Sequence, residues 1–249
     1  MIICLAGLEQ QLCLPTNDFS LCKYALQSVY TVSDKTMELM ENCDFLLIDS
    51  GAFTFMNNTK KGENVDFDAY VDRYIEFINK WDIDYFFELD IDVVVGIQEV
   101  ERLRKKLEDG TGKKSIPVWH KSRGKEYFID MCKNYKYVAI GGIVTKEIKP
   151  TDYPYFNWFI DTAHKHGAKI HGLGLTGMSA IEKYHFDSVD STNWVGGGRF
   201  GNIFYFNGKR IVQHQTGTGK LKDEMHYKQI NTHNFVEWCK FQEYANIHL

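Results

Sequence analysis

The chain has 249 residues, of which 44% are hydrophobic and 14% aromatic, with a formal net charge of −4. That supplies apolar material for one large core at a size common for a single α/β barrel. The charge excludes a broad basic field, so any nucleic-acid contact has to rest on local clusters of lysine and arginine.

Along the chain, short apolar runs that read as buried strands alternate with stretches of helical period. The strand candidates are 2–7, 45–50, 84–91, 116–120, 136–141, 168–174 and 185–190. Ser33 is placed to cap a helix over 34–42. Asp66 to Lys80 carries Phe67, Tyr70, Val71, Tyr74, Ile75 and Ile78 at spacings of three and four, and Ile97 to Leu107 repeats the pattern. Asn157 to His166 supplies a further helix, ended by Gly167. Seven units of this kind predict an α/β fold closed into a modified (β/α)₈ TIM-like barrel, although the eighth strand is not evident in the pattern. After residue 195 the texture changes. Residues 201–212 read as a hairpin with an Asn-Gly turn that would cap the barrel, and 234–249 as a final helix on its outside. One domain over 1–249 is expected.

Six scattered cysteines form no Cys-x-Cys or Cys-x-x-Cys pair, which is neither a zinc spacing nor a disulfide framework. The opening residues lack the basic flank of a signal peptide, and no run reaches the length of a membrane span. A cytoplasmic protein with reduced thiols, no bound metal and no cofactor is expected.

The chemistry sits at strand ends. Asp49 closes the run Phe45–Ile48 and opens Asp49-Ser50-Gly51-Ala52-Phe53, where Gly51 lets backbone turn against a ligand and Phe53 could stack on a planar ring. Glu88, Asp90 and Asp92 alternate, so all three could share one strand face. There they would suit either the N–H edge of a guanine-like base or a divalent cation. Gly141, Gly142 and Ile143 end the next apolar run with backbone that can approach a ligand, and His120 ends the strand before it. Asp187 and Asp190, three apart, face opposite sides of a strand, so one of them enters a pocket and could act as nucleophile at a sugar anomeric carbon. His164, His166 and His171 read as surface or core residues. Basic clusters flank these ends at Lys113, Lys114, Lys121, Arg123 and Lys125, and at Arg199, Lys209, Arg210, Lys220 and Lys222.

In this order the pieces resemble the tRNA-guanine transglycosylase superfamily. The resemblance runs through Asp49-Ser50-Gly51-Ala52-Phe53, Ala139-Ile140-Gly141-Gly142-Ile143, His171-Gly172-Leu173-Gly174 and Phe186-Asp187-Ser188-Val189, and covers most of residues 45–212. The superfamily's zinc-binding cysteine cluster is missing, and Ser191-Thr192-Asn193 stands where Pro-Thr-Arg is usual. The compact pattern is most similar to the phage-type 7-deazaguanine DNA-modification transglycosylases. The resemblance implies a barrel that exchanges guanine in DNA for a free 7-deazaguanine base of the preQ0 type. Asp187 would be the nucleophile at C1′ and Asp49 the general acid/base. Asp90 would read the guanine-like edge, Phe53 would stack on the ring, and Gly141, Gly142, Ile143 and His120 would line its other edge. Lys121, Arg123, Arg199, Lys209 and Arg210 are the expected polymer contacts. The alternatives are exchange on tRNA, a nucleoside or glycoside hydrolase using the same carboxylates, and a catalytically silent nucleic-acid-binding barrel.

Overall fold

The computed structural model describes residues 1–9, 19–52, 54, 66–196, 201–215 and 224–249. Eight parallel strands form one curled sheet: β1 (Ile2–Ala6), β2 (Tyr24–Ser28), β3 (Phe45–Asp49), β4 (Tyr85–Phe86), β5 (Val118–Trp119), β6 (Tyr137–Ile140), β7 (Lys169–Gly172) and β8 (Ser188–Ser191). Their order is β4-β3-β2-β1-β8-β7-β6-β5. The ladder is therefore open between β4 and β5, and an isolated parallel bridge from Phe87 to Ile116 spans that seam. The order is that of a TIM-like α/β fold.

The strand absent from the sequence reading is β2. It is short and breaks its apolar run with Gln27, yet it pairs in register with β1 and β3. The helices are α1 (Asp34–Met40), α2 (Phe67–Lys80), α3 (Asp92–Val95), α4 (Ile97–Thr111), α5 (Gly124–Asn134), α6 (Phe156–Lys165), α7 (Met178–Lys183) and α8 (Glu224–His248). Ser33 caps its helix as expected, accepting from the Thr36 N–H, and Asp66, read as the first helical residue, is instead an N-cap that accepts from the Ala69 N–H.

Alternation along the strands sorts side chains into two layers. Cys4, Ala6, Leu26, Leu47, Phe87, Ile116, Val118, Tyr137 and Ala139 fill the inside of the curl. Val71, Tyr74 and Ile78 of α2 and Val100, Leu103 and Leu107 of α4 cover one flank of the outside. An aromatic cluster of Trp119, Phe128, Trp158 and Phe159 covers another, with Trp119 and Phe159 rings 4.5 Å apart.

The hairpin consists of β9 (Asn202–Phe206) and β10 (Ile211–Gln215), paired from Ile211–Phe206 to Gln215–Asn202. It packs on α8 rather than standing as a separate cap, because Phe204 and Trp238 share buried aromatic contact and Asn234 accepts from the Phe204 N–H at 2.9 Å. The same helix covers the outer face of β1 and β2, where Gln242 Nε2 donates to the carbonyls of Ile3 (2.7 Å) and Tyr24 (2.5 Å).

Candidate functional site at the strand ends

Parallel strands bring their C-terminal ends to one face, and there the chain collects its acids. Asp49 is the last residue of β3, and its Oδ2 accepts the Gly51 N–H at 3.0 Å. Burial pushes the Asp49 carboxyl up, the Gly51 N–H pulls it back, and the charges of Asp190 and Asp90 push it up again, leaving it at about 6. A carboxyl poised there can both give and take a proton near neutral pH.

Asp190 lies near the C-terminal end of β8, opposite Cys4 in the β1 register. Its Oδ1 accepts the Gly174 N–H at 2.6 Å and faces His171 Nε2 at 3.2 Å. Asp187 does not join it. It precedes the first residue of β8, at the N-terminal face, where its Oδ2 accepts the Ile170 N–H at 2.8 Å and meets the half-exposed His164 at 2.9 Å. Three residues of strand, about 10 Å, separate the two acids along the axis. The period of two that puts them on opposite faces also decides which one faces the inside of the curl: Asp190 shares the interior face with Ser188. The structure thus sets Asp187, expected as the nucleophile, at the strand entry, at the opposite end of the sheet from Asp49.

The second half of the mouth is built around His120. Its Nε2 lies 2.5 Å from Asp90 Oδ1, and its Nδ1 lies 2.9 Å from Glu147 Oε2. Burial opposes the imidazolium, but the two carboxylates, Asp90 foremost, outweigh it and raise His120 to about 9. Both ring nitrogens are taken, so His120 serves here as a cation that holds Asp90 rather than as a direct contact to a base edge. The paired glycines make this cluster possible. A Cβ on Gly141 would sit 2.7 Å from His120 Nε2, and one on Gly142, whose φ is +80°, would sit 2.8 Å from Glu147 Oε2. Ile143 follows them, partly buried against the core.

Glu88, Asp90 and Asp92 do not share a face as their alternation suggested. Strand β4 ends at Phe86, and Glu88 turns outward into a buried ion network. Arg104 Nη1 reaches its Oε2 at 2.9 Å, Arg123 Nη1 its Oε1 at 2.8 Å, and the Val118 N–H donates to the same Oε1 at 2.8 Å. Arg123 also holds Asp92 at 3.1 Å and has a side chain only 1% exposed. It is therefore a structural cation, and its expected role as a polymer contact is corrected. Nothing in the residue types distinguished it from Lys121, because its buried partner is Glu88, far off in sequence just past β4.

Of the remaining basic candidates, Lys121 is exposed on the rim, 3.6 Å from Asp152, beside a cavity of about 400 Å³ lined by Trp119, Lys125, Phe156 and Trp158. Its lining is largely aromatic, with Asp152 as its one acid among the described residues. Lys209 and Arg210 sit in the hairpin turn, where Asn207 Oδ1 accepts both their N–H groups and Arg210 reaches Glu182 at 2.7 Å. Phe53 and Arg199 lie outside the described residues.

Ligand atoms of Asp90, Asp92 and His120 come within 4.8 Å of one another, the spacing a metal ion needs. Arg123 and the His120 imidazolium already supply positive charge at these carboxylates, so a cation would have to displace or deprotonate them. Among the described residues no helix is long and apolar enough to cross a membrane. Compared with known proteins, the chain matches no protein-family model and no curated protein.

Proposed function

We propose that the chain is a guanine base-exchange transglycosylase acting on DNA, with Asp190 as nucleophile and Asp49 as general acid/base. The observation that carries this reading is the meeting of the two carboxylates at one barrel mouth, where Asp190 is pinned through one oxygen and Asp49 is raised to about 6. One acid fixed by hydrogen bonds as nucleophile and one poised to trade a proton is the division of labour that displacement at an anomeric carbon needs.

In the first half-reaction Asp190 Oδ2 bonds to C1′ of the target nucleoside and the C1′–N9 bond breaks. The departing guanine takes a proton from Asp49. In the second, the Asp49 carboxylate takes the N9 proton of the incoming 7-deazaguanine, N9 bonds to C1′, and Asp190 leaves as carboxylate. Asp90 keeps its second oxygen for the N–H edge of the base while His120, itself held by Glu147 through its other ring nitrogen, holds the first. The target base has to leave its stack to reach this mouth, which favours single-stranded or distorted polymer.

The choice of a 7-deazaguanine base and of DNA over tRNA rests on the motif order and on the missing cysteine cluster. Incubation of the protein with labelled guanine and DNA or tRNA tests it: label retained in DNA supports the reading, label retained in tRNA moves the substrate, and free base released without label uptake makes the protein a hydrolase.

A further inference from the structure

Base exchange at the mouth leaves one set of buried polar groups without a task. Inside the curl, among apolar neighbours, Tyr137, Ser188 and His171 form a column of polar side chains that runs from the floor to Asp190. Ser188 and His171 are fully buried, and the His171 ring lies 5.3 Å from that of Phe87. Polar groups in such a place cost free energy unless each finds a partner, and leucine would fill the same space without that cost. Here every one is satisfied. Tyr137 Oη hydrogen-bonds Ser188 Oγ. Ser188 Oγ meets His171 Nδ1 at 2.5 Å, and His171 Nε2 meets Asp190 Oδ1 at 3.2 Å.

The donor and acceptor inventory gives this column one polarity. Asp190 Oδ1 already accepts the Gly174 N–H, so the contact to the same oxygen has His171 Nε2 as its donor. With the ring proton on Nε2, Nδ1 accepts, which makes Ser188 the donor there and leaves its oxygen to accept from the Tyr137 hydroxyl. Burial pushes the Tyr137 phenol well up, which keeps that donor in place. Each dipole therefore points toward Asp190. The Gly174 N–H adds a second donor to the same Oδ1, and among the described residues Oδ2 carries no hydrogen bond.

We propose that His171 is a positioning residue for Asp190: the column Tyr137–Ser188–His171 fixes Oδ1 and presents Oδ2 to the mouth as the attacking oxygen. This rests on the reading of Asp190 as nucleophile. When Oδ2 is esterified, Oδ1 becomes a carbonyl oxygen, and the two donors are ready to stabilise the carboxylate as it is released again. His171 touches no substrate atom in this scheme. The titratable groups that face Asp190 are Asp49 from β3, Cys4 from β1 and His171 from β7.

The test has two arms on the full-length protein. ¹⁵N NMR of the histidine ring is expected to show the Nε2–H form of His171, and Asp190→Ala is expected to abolish that preference. A ring found as the Nδ1–H form in the wild type overturns the proposal whether or not the protein exchanges bases. In the second arm, His171→Phe is expected to lower kcat for guanine exchange by roughly tenfold to a hundredfold with KM nearly unchanged, the loss of one hydrogen bond to a charged group. His171→Gln, which can place an amide N–H near Oδ1, is expected to restore most of it. Equal loss in both variants, or full activity in His171→Phe, refutes the positioning role and leaves base exchange standing. A wild type that exchanges nothing refutes the base-exchange reading, while the ring form still decides the column.

Discussion

Asp49 stores a cost that its removal should return. A carboxyl raised from 3.8 to about 6 in the folded chain binds its proton more tightly there than when unfolded. The sign follows from linkage: between those two values the native state holds more protons, so stability falls as pH rises, and above about 6 the loss is complete. At about 1.4 kcal/mol per pH unit of displacement, the penalty is about 2 kcal/mol at pH 5 and about 3 kcal/mol at pH 8. Asn in place of Asp keeps the acceptor for the Gly51 N–H and removes the charge that Asp190 and Asp90 oppose. Asp49→Asn is therefore expected to be more stable than wild type, by an amount that grows with pH to about 3 kcal/mol, while losing exchange activity. Urea unfolding at pH 5 and pH 8 measures this. A variant no more stable than wild type at pH 8, or a difference independent of pH, would refute the desolvated, like-charged environment on which the acid/base assignment depends.

Arg123→Met should leave Asp92 unpaired and Glu88 with Arg104 as its remaining guanidinium, costing about 3–5 kcal/mol and lowering Tm by roughly 10 °C, with polymer affinity unchanged at a temperature where the variant is folded. Lost affinity at unchanged Tm would instead make Arg123 a phosphate contact. The His120 ring should titrate near pH 9, and in Asp90→Asn the midpoint should drop toward the ordinary histidine value. Because its folded value lies above its unfolded one, the stabilisation it provides is complete below about pH 6.5 and should vanish as pH rises through 9. An NMR titration that leaves the midpoint unmoved in Asp90→Asn contradicts that account. Reversing charge at Lys209 and Arg210 in the hairpin turn should flatten the salt dependence of DNA binding by about one log–log unit for each phosphate these side chains neutralise, with free-base binding intact. Normal DNA binding by that variant would remove the hairpin from the polymer path.

Much of the architecture was legible because helices and long strands announce themselves by period and cap. Ser33, Asp66 and Gly167 mark helix ends where the structure has them. The strand β2 was hidden because five residues with a central Ala-Leu-Gln carry too little apolar repeat to declare a strand; its neighbours in the sheet decide it. The place of Asp49, Asp90 and His120 at the ends of apolar runs was legible in the sequence. Two features were not. Choosing between Asp187 and Asp190 required the register of β8 against β1, a long-range property that a motif read in isolation does not contain. Seeing Arg123 as a core cation required knowing that Glu88 turns away from the mouth toward α4, where Arg104 also meets it. His171 read as a core residue, and the column it anchors became visible only with Ser188 and Tyr137 beside it.

The most direct measurement of the central claim is a paired nucleophile test. Asp187→Asn and Asp190→Asn, both checked for native folding, are incubated with DNA and labelled guanine, and each reaction is quenched to capture protein covalently bound to DNA. Asp187→Asn is expected to exchange and to form the adduct, with at most a modest loss of stability from its capping bonds to Ile170 and His164. Asp190→Asn is expected to do neither. An active Asp190→Asn with an inactive Asp187→Asn would contradict the account, because it would place the chemistry at the opposite end of the barrel from Asp49.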